Sequence, residues 1–227
     1  MRPLPISVST ALDAVTAGKL ISGGWLAHKE LLEVGMSVLK QHNYTCRACG
    51  FKSRPSKEVP HGWMIPVDLN SPSLVALSSE AGLCLCPFCT STLTINWSVV
   101  PTVRSGKEAP SPGMLILLPH LSQHEINRIA LHTLSILSST SIMESSPIRD
   151  MAVKVDSVMS SLQKELTLYI EPYRSEHDAD FARALALIPV DLYEKRNEVL
   201  SPVRWWPTMS YWQEQGLYWT YSTFNKF

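Results

Sequence analysis

Four of the five cysteines in this chain fall into two Cys-x-x-Cys pairs, Cys46-Arg47-Ala48-Cys49 and Cys86-Pro87-Phe88-Cys89, with 36 residues between them. A Cys-x-x-Cys turn presents two thiolates to one ion while its backbone amides stabilise the negative sulfurs, and two such turns complete the tetrahedral shell that zinc takes. Gly50 follows the first pair, where a knuckle favours backbone freedom. In a reducing compartment such pairs read as metal ligands before they read as disulfides. The spacing therefore predicts one structural Zn2+ held by Cys46, Cys49, Cys86 and Cys89. Two other readings stay open: reduced or redox cysteines without metal, and a shell in which Cys84 replaces Cys86. A closed four-thiolate site leaves no coordination position for substrate, so it contributes to folding and argues for no reaction.

At 227 residues the chain can bury a proper core, as one compact domain or one domain with an extension. Its 20 basic and 20 acidic residues cancel, which removes the electrostatic argument for a nucleic-acid or membrane-surface partner. Met1-Arg2-Pro3-Leu4-Pro5 does not open a secretory signal, and no segment approaches the roughly 20 apolar residues of a membrane span. A cytoplasmic, soluble protein is the expectation.

Residues 1–24 carry Ser, Thr and Ala without periodicity and read as a loosely structured lead-in. Over Ala27 to Gln41, Leu31, Val34 and Val38 recur at helical spacing and predict a helix that delivers the chain to Cys46; Gly35 inside it costs about 1 kcal/mol relative to Ala. Pro55, Pro60, Pro66 and the Ser-rich stretch Ser71 to Ser79 exclude a long helix between the cysteine pairs, leaving short strands and loops over 25–100. Residues 101–112 read as a Pro/Ser/Gly linker or exposed hairpin connection. In 113–204, Met114 to Pro119 is a buried strand, and Leu121-Ser122-Gln123-His124-Glu125-Ile126 is a helix start. Ser122 is its N-cap, Glu125 answers it, and Leu121 and Ile126 form a hydrophobic staple. A longer helix runs from Pro147 until Pro172, with Met151, Val155, Val158, Met159, Leu162 and Leu166 on one side. Shorter helices are expected at 178–187 and 191–200. The tail, 205–227, holds nine of the 19 aromatic residues, so it either packs back on the chain's own core or presents a partner surface.

The histidines offer little to an enzyme. His124 and His132 lie two helical turns apart, about 12 Å of rise, too far to share one metal, and with His120 they read as polar helix surface. No Gly-rich phosphate loop, no Gly-x-Ser-x-Gly elbow and no Glu-containing zinc-hydrolase motif occurs.

The segment VLKQHNYTCRACGF, Val38 to Phe51, resembles the opening of HNH-type domains, in which a helix feeds a first zinc knuckle and a second Cys-x-x-Cys closes the module. That resemblance implies a small treble-clef-type zinc domain with short strands and a catalytic His near a divalent metal. His61 lies roughly where that His would come, but singly; Thr90 stands after Cys89 where a nuclease usually presents His or Asn, and Asp68 and Asn70 read as turn residues. Taken with the YTCRACGF and LCPFC knuckles, GMLILLPHLSQHEINRIALHTLSIL, Gly113 to Leu137, is similar to the IcmJ/DotN family of the Dot/Icm (type IVB) secretion and related conjugation machinery. What this second resemblance implies is an α+β chain: a degenerate HNH-like zinc module without nuclease activity, followed by a mainly helical C-terminal half. Such a subunit is cytoplasmic, peripheral to the inner membrane, and binds the C-terminal extension of a coupling ATPase and neighbouring coupling-complex subunits. The competing implication is an HNH-type metal-dependent endonuclease using His61.

Overall fold

The computed structural model describes residues 23–71, 74–104, 107–169, 180–181 and 200–224. The lead-in up to residue 22, the stop at Pro172, nearly all of the helices expected at 178–187 and 191–200, and the last three residues of the tail lie outside them. The described chain is mixed α and β, with three two-stranded antiparallel sheets set among helices.

A 3-10 turn, Gly24–Ala27, leads into helix α1, Lys29–Gln41. Its inner side buries Val38 and Leu39, with Leu31 and Leu32 packed beside them. Gly35 is a packing residue: a Cβ there would stand 2.6 Å from the Trp25 ring and 2.8 Å from Pro66. The propensity lost at Gly35 lets the helix lie flush on both side chains.

Strands β1, Ile65–Val67, and β2, Leu83–Leu85, pair with Ile65 opposite Leu85 and Val67 opposite Leu83. Two short helices follow, α2 at Pro87–Ser91 and α3 at Ile95–Ser98. The 101–112 stretch is the hairpin of its two readings, with β3, Thr102–Arg104, against β4, Lys107–Ala109.

The second half opens on β5, Gly113–Leu117, as the apolar run predicts. Its partner is β6, Val203–Pro207, so Gly113 faces Pro207 and Leu117 faces Val203 across some ninety residues of chain. Gly113 is required by its neighbour, since a Cβ there would meet the Trp205 indole at 2.3 Å. Helix α4, Gln123–Ser138, begins at the Ser122/Glu125 capping box. The Glu125 carboxylate accepts from the Ser122 backbone N–H at 2.8 Å and from its hydroxyl, and these bonds hold its pKa below the usual carboxylate value. Ile126 is fully buried and Leu121 packs on the core, as a staple requires.

The helix expected from Pro147 differs in two ways. It divides into α5, Pro147–Ser161, and α6, Gln163–Tyr169. The Leu162 carbonyl at the break accepts from Leu117 N–H of β5 at 3.2 Å, so it is spent on the sheet. The buried line is also displaced: Ala152, Val155, Met159, Leu162 and Leu166 face the core, whereas Met151 is 65% and Val158 59% exposed. Ala152 is too small to weigh in an apolar pattern, and without it the stripe reads one flank over.

The aromatic tail packs back on the chain's own core. Trp205 and Trp206 on β6, Trp212, and Trp219 of helix α7, Gln213–Ser222, are all buried. Trp205, Trp212 and Trp219 gather round Phe88 of the second Cys-x-x-Cys, with ring centroids 5.8 Å, 5.4 Å and 6.1 Å from it. Trp219 also meets Phe51, just past the first pair, at 5.1 Å. One continuous core thus joins the cysteine half to the helical half. No helix among the described residues is long and apolar enough to cross a membrane.

Candidate metal centre

Cys46, Cys49, Cys86 and Cys89 converge, with all four sulfurs within 4.8 Å of one another and all four side chains buried. Cys49 Sγ lies 3.7 Å from Cys86 Sγ. Four sulfurs at about 2.3 Å from a tetrahedral centre would stand about 3.8 Å apart. The donor set therefore fits a four-coordinate metal ion.

Each pair is shaped by local backbone rules. After α1, Asn43 and Tyr44 take left-handed conformations, at φ 49° and 52°, which turn the chain sharply into the first knuckle. The turn then closes through Cys46 N–H to the Phe51 carbonyl at 2.7 Å and Gly50 N–H to the Cys46 carbonyl at 2.9 Å. Gly50 sits at φ 77°, the conformation anticipated for a knuckle glycine. The second pair is a helix N-terminus. Cys86 is the N-cap of α2, Pro87 takes the first helical position, and Cys89 N–H donates to Cys86 Sγ at 3.4 Å. The positive end of that short helix offsets part of the burial that acts against ionisation of Cys86.

Cys84 stands outside the cluster, on β2 opposite Pro66. Its carbonyl accepts from Arg47 N–H at 2.9 Å, binding β2 to the first knuckle through the backbone. Burial, aided by Cys46 and Cys49, pushes its thiol far up, so it stays protonated. Within the cluster, burial acts against ionisation of Cys46, but hydrogen bonds from Cys49, Cys86 and Cys89 outweigh it and hold Cys46 well below the ordinary thiol value. Burial drives Cys86 well up, and the hydrogen bonds with Cys46 and Cys49 do the same to Cys89. A bound cation would favour the thiolate form of the donors around it.

A supporting contact escapes cysteine spacing altogether. Asn127 Nδ2 of α4 donates to Cys89 Sγ at 3.2 Å. Its own Oδ1 accepts from Gln123 Nε2 at 2.8 Å, and Gln123 is clamped to the β6 backbone, donating to the Trp205 carbonyl at 2.9 Å and accepting from Trp205 N–H at 2.8 Å. Gln123 and Asn127 lie one turn apart among the buried residues of α4, and two amides on an apolar helix side are the signal that could have revealed them. They couple the cluster to a strand far along the chain, a second layer that fixes ligand orientation.

The residues considered for phosphodiester chemistry are dispersed. His61 lies just before β1 with its ring edge-on to Trp25 at 5.9 Å and near Trp63 at 5.6 Å. Burial lowers its pKa and favours the neutral ring. Asp68 and Asn70 form a turn, with Asn70 N–H donating to Asp68 Oδ1 at 2.9 Å. The Thr90 hydroxyl is buried and donates to the Cys86 carbonyl at 3.1 Å. His132 rests on the Phe224 ring at 4.9 Å, so it is tied to the aromatic tail and is more than polar surface. Among the described residues no other group of three or more His, Cys, Asp or Glu side chains is arranged to hold a metal. The chain matches no protein-family model and no curated protein.

Proposed function

We propose that this chain is a non-catalytic, zinc-containing adaptor of a type IVB secretion or conjugation coupling complex, cytoplasmic and peripheral to the inner membrane. Its partners are the C-terminal extension of the coupling ATPase and neighbouring subunits. The observation that carries the non-catalytic part is the cluster itself: four buried cysteines would enclose one ion and leave none of its four positions for water or substrate. Zinc is the ion of choice for a closed sulfur shell in a reducing compartment, and its binding energy is folding energy. The adaptor part is supported by the knuckle, strand and helix segments that resemble the IcmJ/DotN family. The neutral charge balance and the exposed Met151 and Val158 of α5, apolar surface of the kind a partner covers, accord with it.

The test is co-purification of the full chain with the isolated C-terminal tail of a coupling ATPase from a type IVB system. A stable complex supports the reading, and no association with the tail or with the intact coupling complex sinks it. The alternative, an HNH-type endonuclease, rests on the knuckles and His61. Divalent-ion-dependent DNA cleavage that is lost in His61→Ala would establish that instead.

A further inference from the structure

Among the described residues, four buried side-chain atoms have no hydrogen-bond partner: His61 Nδ1, Trp63 Nε1, Ser91 Oγ and Gln215 Oε1. Buried polar groups are nearly always satisfied, so each calls for an explanation. All four residues line one cavity of about 60 Å³, walled by aromatic rings including Trp25, Trp97 and Trp212. They arrive from three separate parts of the chain: the turn before β1, the end of α2 and the start of α7. Ordered water can satisfy such groups one by one, and a single ligand can satisfy all four together.

The backbone points the same way. Trp63 is held at φ 60°, directly after Gly62 at φ 59°, and a bulky residue in the left-handed region persists only where its surroundings enforce it. Here they do: Gly62 N–H donates to the Val59 carbonyl at 2.9 Å, and the Gly62 carbonyl accepts from the Ser53 hydroxyl at 2.7 Å. The strained turn places Trp63 on the cavity wall.

Ligand chemistry follows from what each orphan requires. An indole N–H only donates, so Trp63 needs an acceptor; an amide oxygen only accepts, so Gln215 needs a donor. A quaternary ammonium would suit aromatic walls but leaves Trp63 unanswered. A carboxylate would answer Trp63 and leave Gln215 unanswered. Among the described residues no Asp, Glu, Lys or Arg lines the space to offset either charge. At roughly 10–15 Å³ for each water-sized position, the cavity takes a group of roughly four to six non-hydrogen atoms. We propose that this cavity binds a primary carboxamide, its carbonyl accepting from Trp63 Nε1–H and its NH2 donating to Gln215 Oε1, with Ser91 and His61 completing the contacts. The group could belong to a small free amide or to an Asn or Gln side chain of a peptide. The site is independent of the adaptor reading.

The test is a titration of the full zinc-loaded chain, followed through its tryptophan indole N–H resonances by heteronuclear NMR, with the Trp63 signal identified by its loss in Trp63→Phe. The probes are acetamide, the peptide Ala-Gln-Ala, acetate and tetramethylammonium. The expected result is a saturable shift of the Trp63 signal with acetamide, weakened at least about tenfold in Gln215→Leu and in Ser91→Ala, both checked for unchanged zinc content and spectra. Saturation by the peptide at much lower concentration than acetamide assigns the source as a side chain, and the reverse order assigns a free amide. Absence of a saturable acetamide or peptide shift up to about 100 mM, the limit of meaningful affinity for so small a group, would overturn the proposal. A shift with tetramethylammonium or acetate alone would do the same.

Discussion

Cys84 and Cys86 are two residues apart, and strand alternation alone would set them on one face; β2 ends at Leu85, and Cys86, as the N-cap of α2, turns into the cluster while Cys84 stays on the strand. Cys84→Ser is expected to retain one metal per chain, while Cys86→Ser loses it and leaves the chain largely unfolded, as metal analysis and circular dichroism of the purified variants would register. Asn127→Ala removes the amide that faces Cys89 Sγ. It should lower metal affinity about 10–100-fold without changing the stoichiometry, read by competition against a chelator. The four-cysteine cluster was legible because two short covalent spacings bring the members of each pair together before any fold exists. Of Asn127 only the amide on an apolar helix side was legible; its partner Cys89, 38 residues away and reached through packing, was not.

At the scale of elements, small residues decide how closely helices and strands approach. Gly35→Ala would gain about 1 kcal/mol from helix propensity in an isolated α1. In this chain it forces a methyl group into Trp25 and Pro66, so a net loss of about 1–3 kcal/mol is expected in urea unfolding. Gly113→Ala, against the Trp205 indole, should behave likewise. Helix α5 carries a pH signature. Burial raises the pKa of Asp156, whose Oδ1 accepts from Trp206 Nε1–H at 2.9 Å. A raised carboxyl means that the folded chain binds the proton more tightly than the unfolded one. Stability contributed by this group therefore falls as pH rises from about 3.9, the unfolded value, through the folded pKa. Asp156→Asn keeps the acceptor without the charge, and its thermal midpoint should exceed the parent's at pH 7, with the difference shrinking below about pH 4. Helix starts and the β5 run were readable from capping and apolar periodicity. The division at Leu162 was not, since its cause is a hydrogen bond to a strand 45 residues earlier in the chain.

For the whole molecule, the chief lesson is that the aromatic tail closes the fold. β6 is the only partner of β5 among the described residues, and Trp205, Trp212 and Trp219 surround Phe88 between Cys86 and Cys89 of the cluster. Composition announced a concentrated anchor there but could not say what it anchored, because strand pairing across so long a separation leaves no local trace. A chain ending before Val203 should fail to fold even with zinc supplied, giving rapid proteolysis where the full chain resists. The account as a whole rests on the closed sulfur site, and the most direct measurement is X-ray absorption at the metal edge of the purified full chain together with its metal content. One zinc per chain in a four-sulfur shell at about 2.3 Å is the expected result. A shell containing nitrogen or oxygen ligands, or a folded chain that carries no metal, would contradict it.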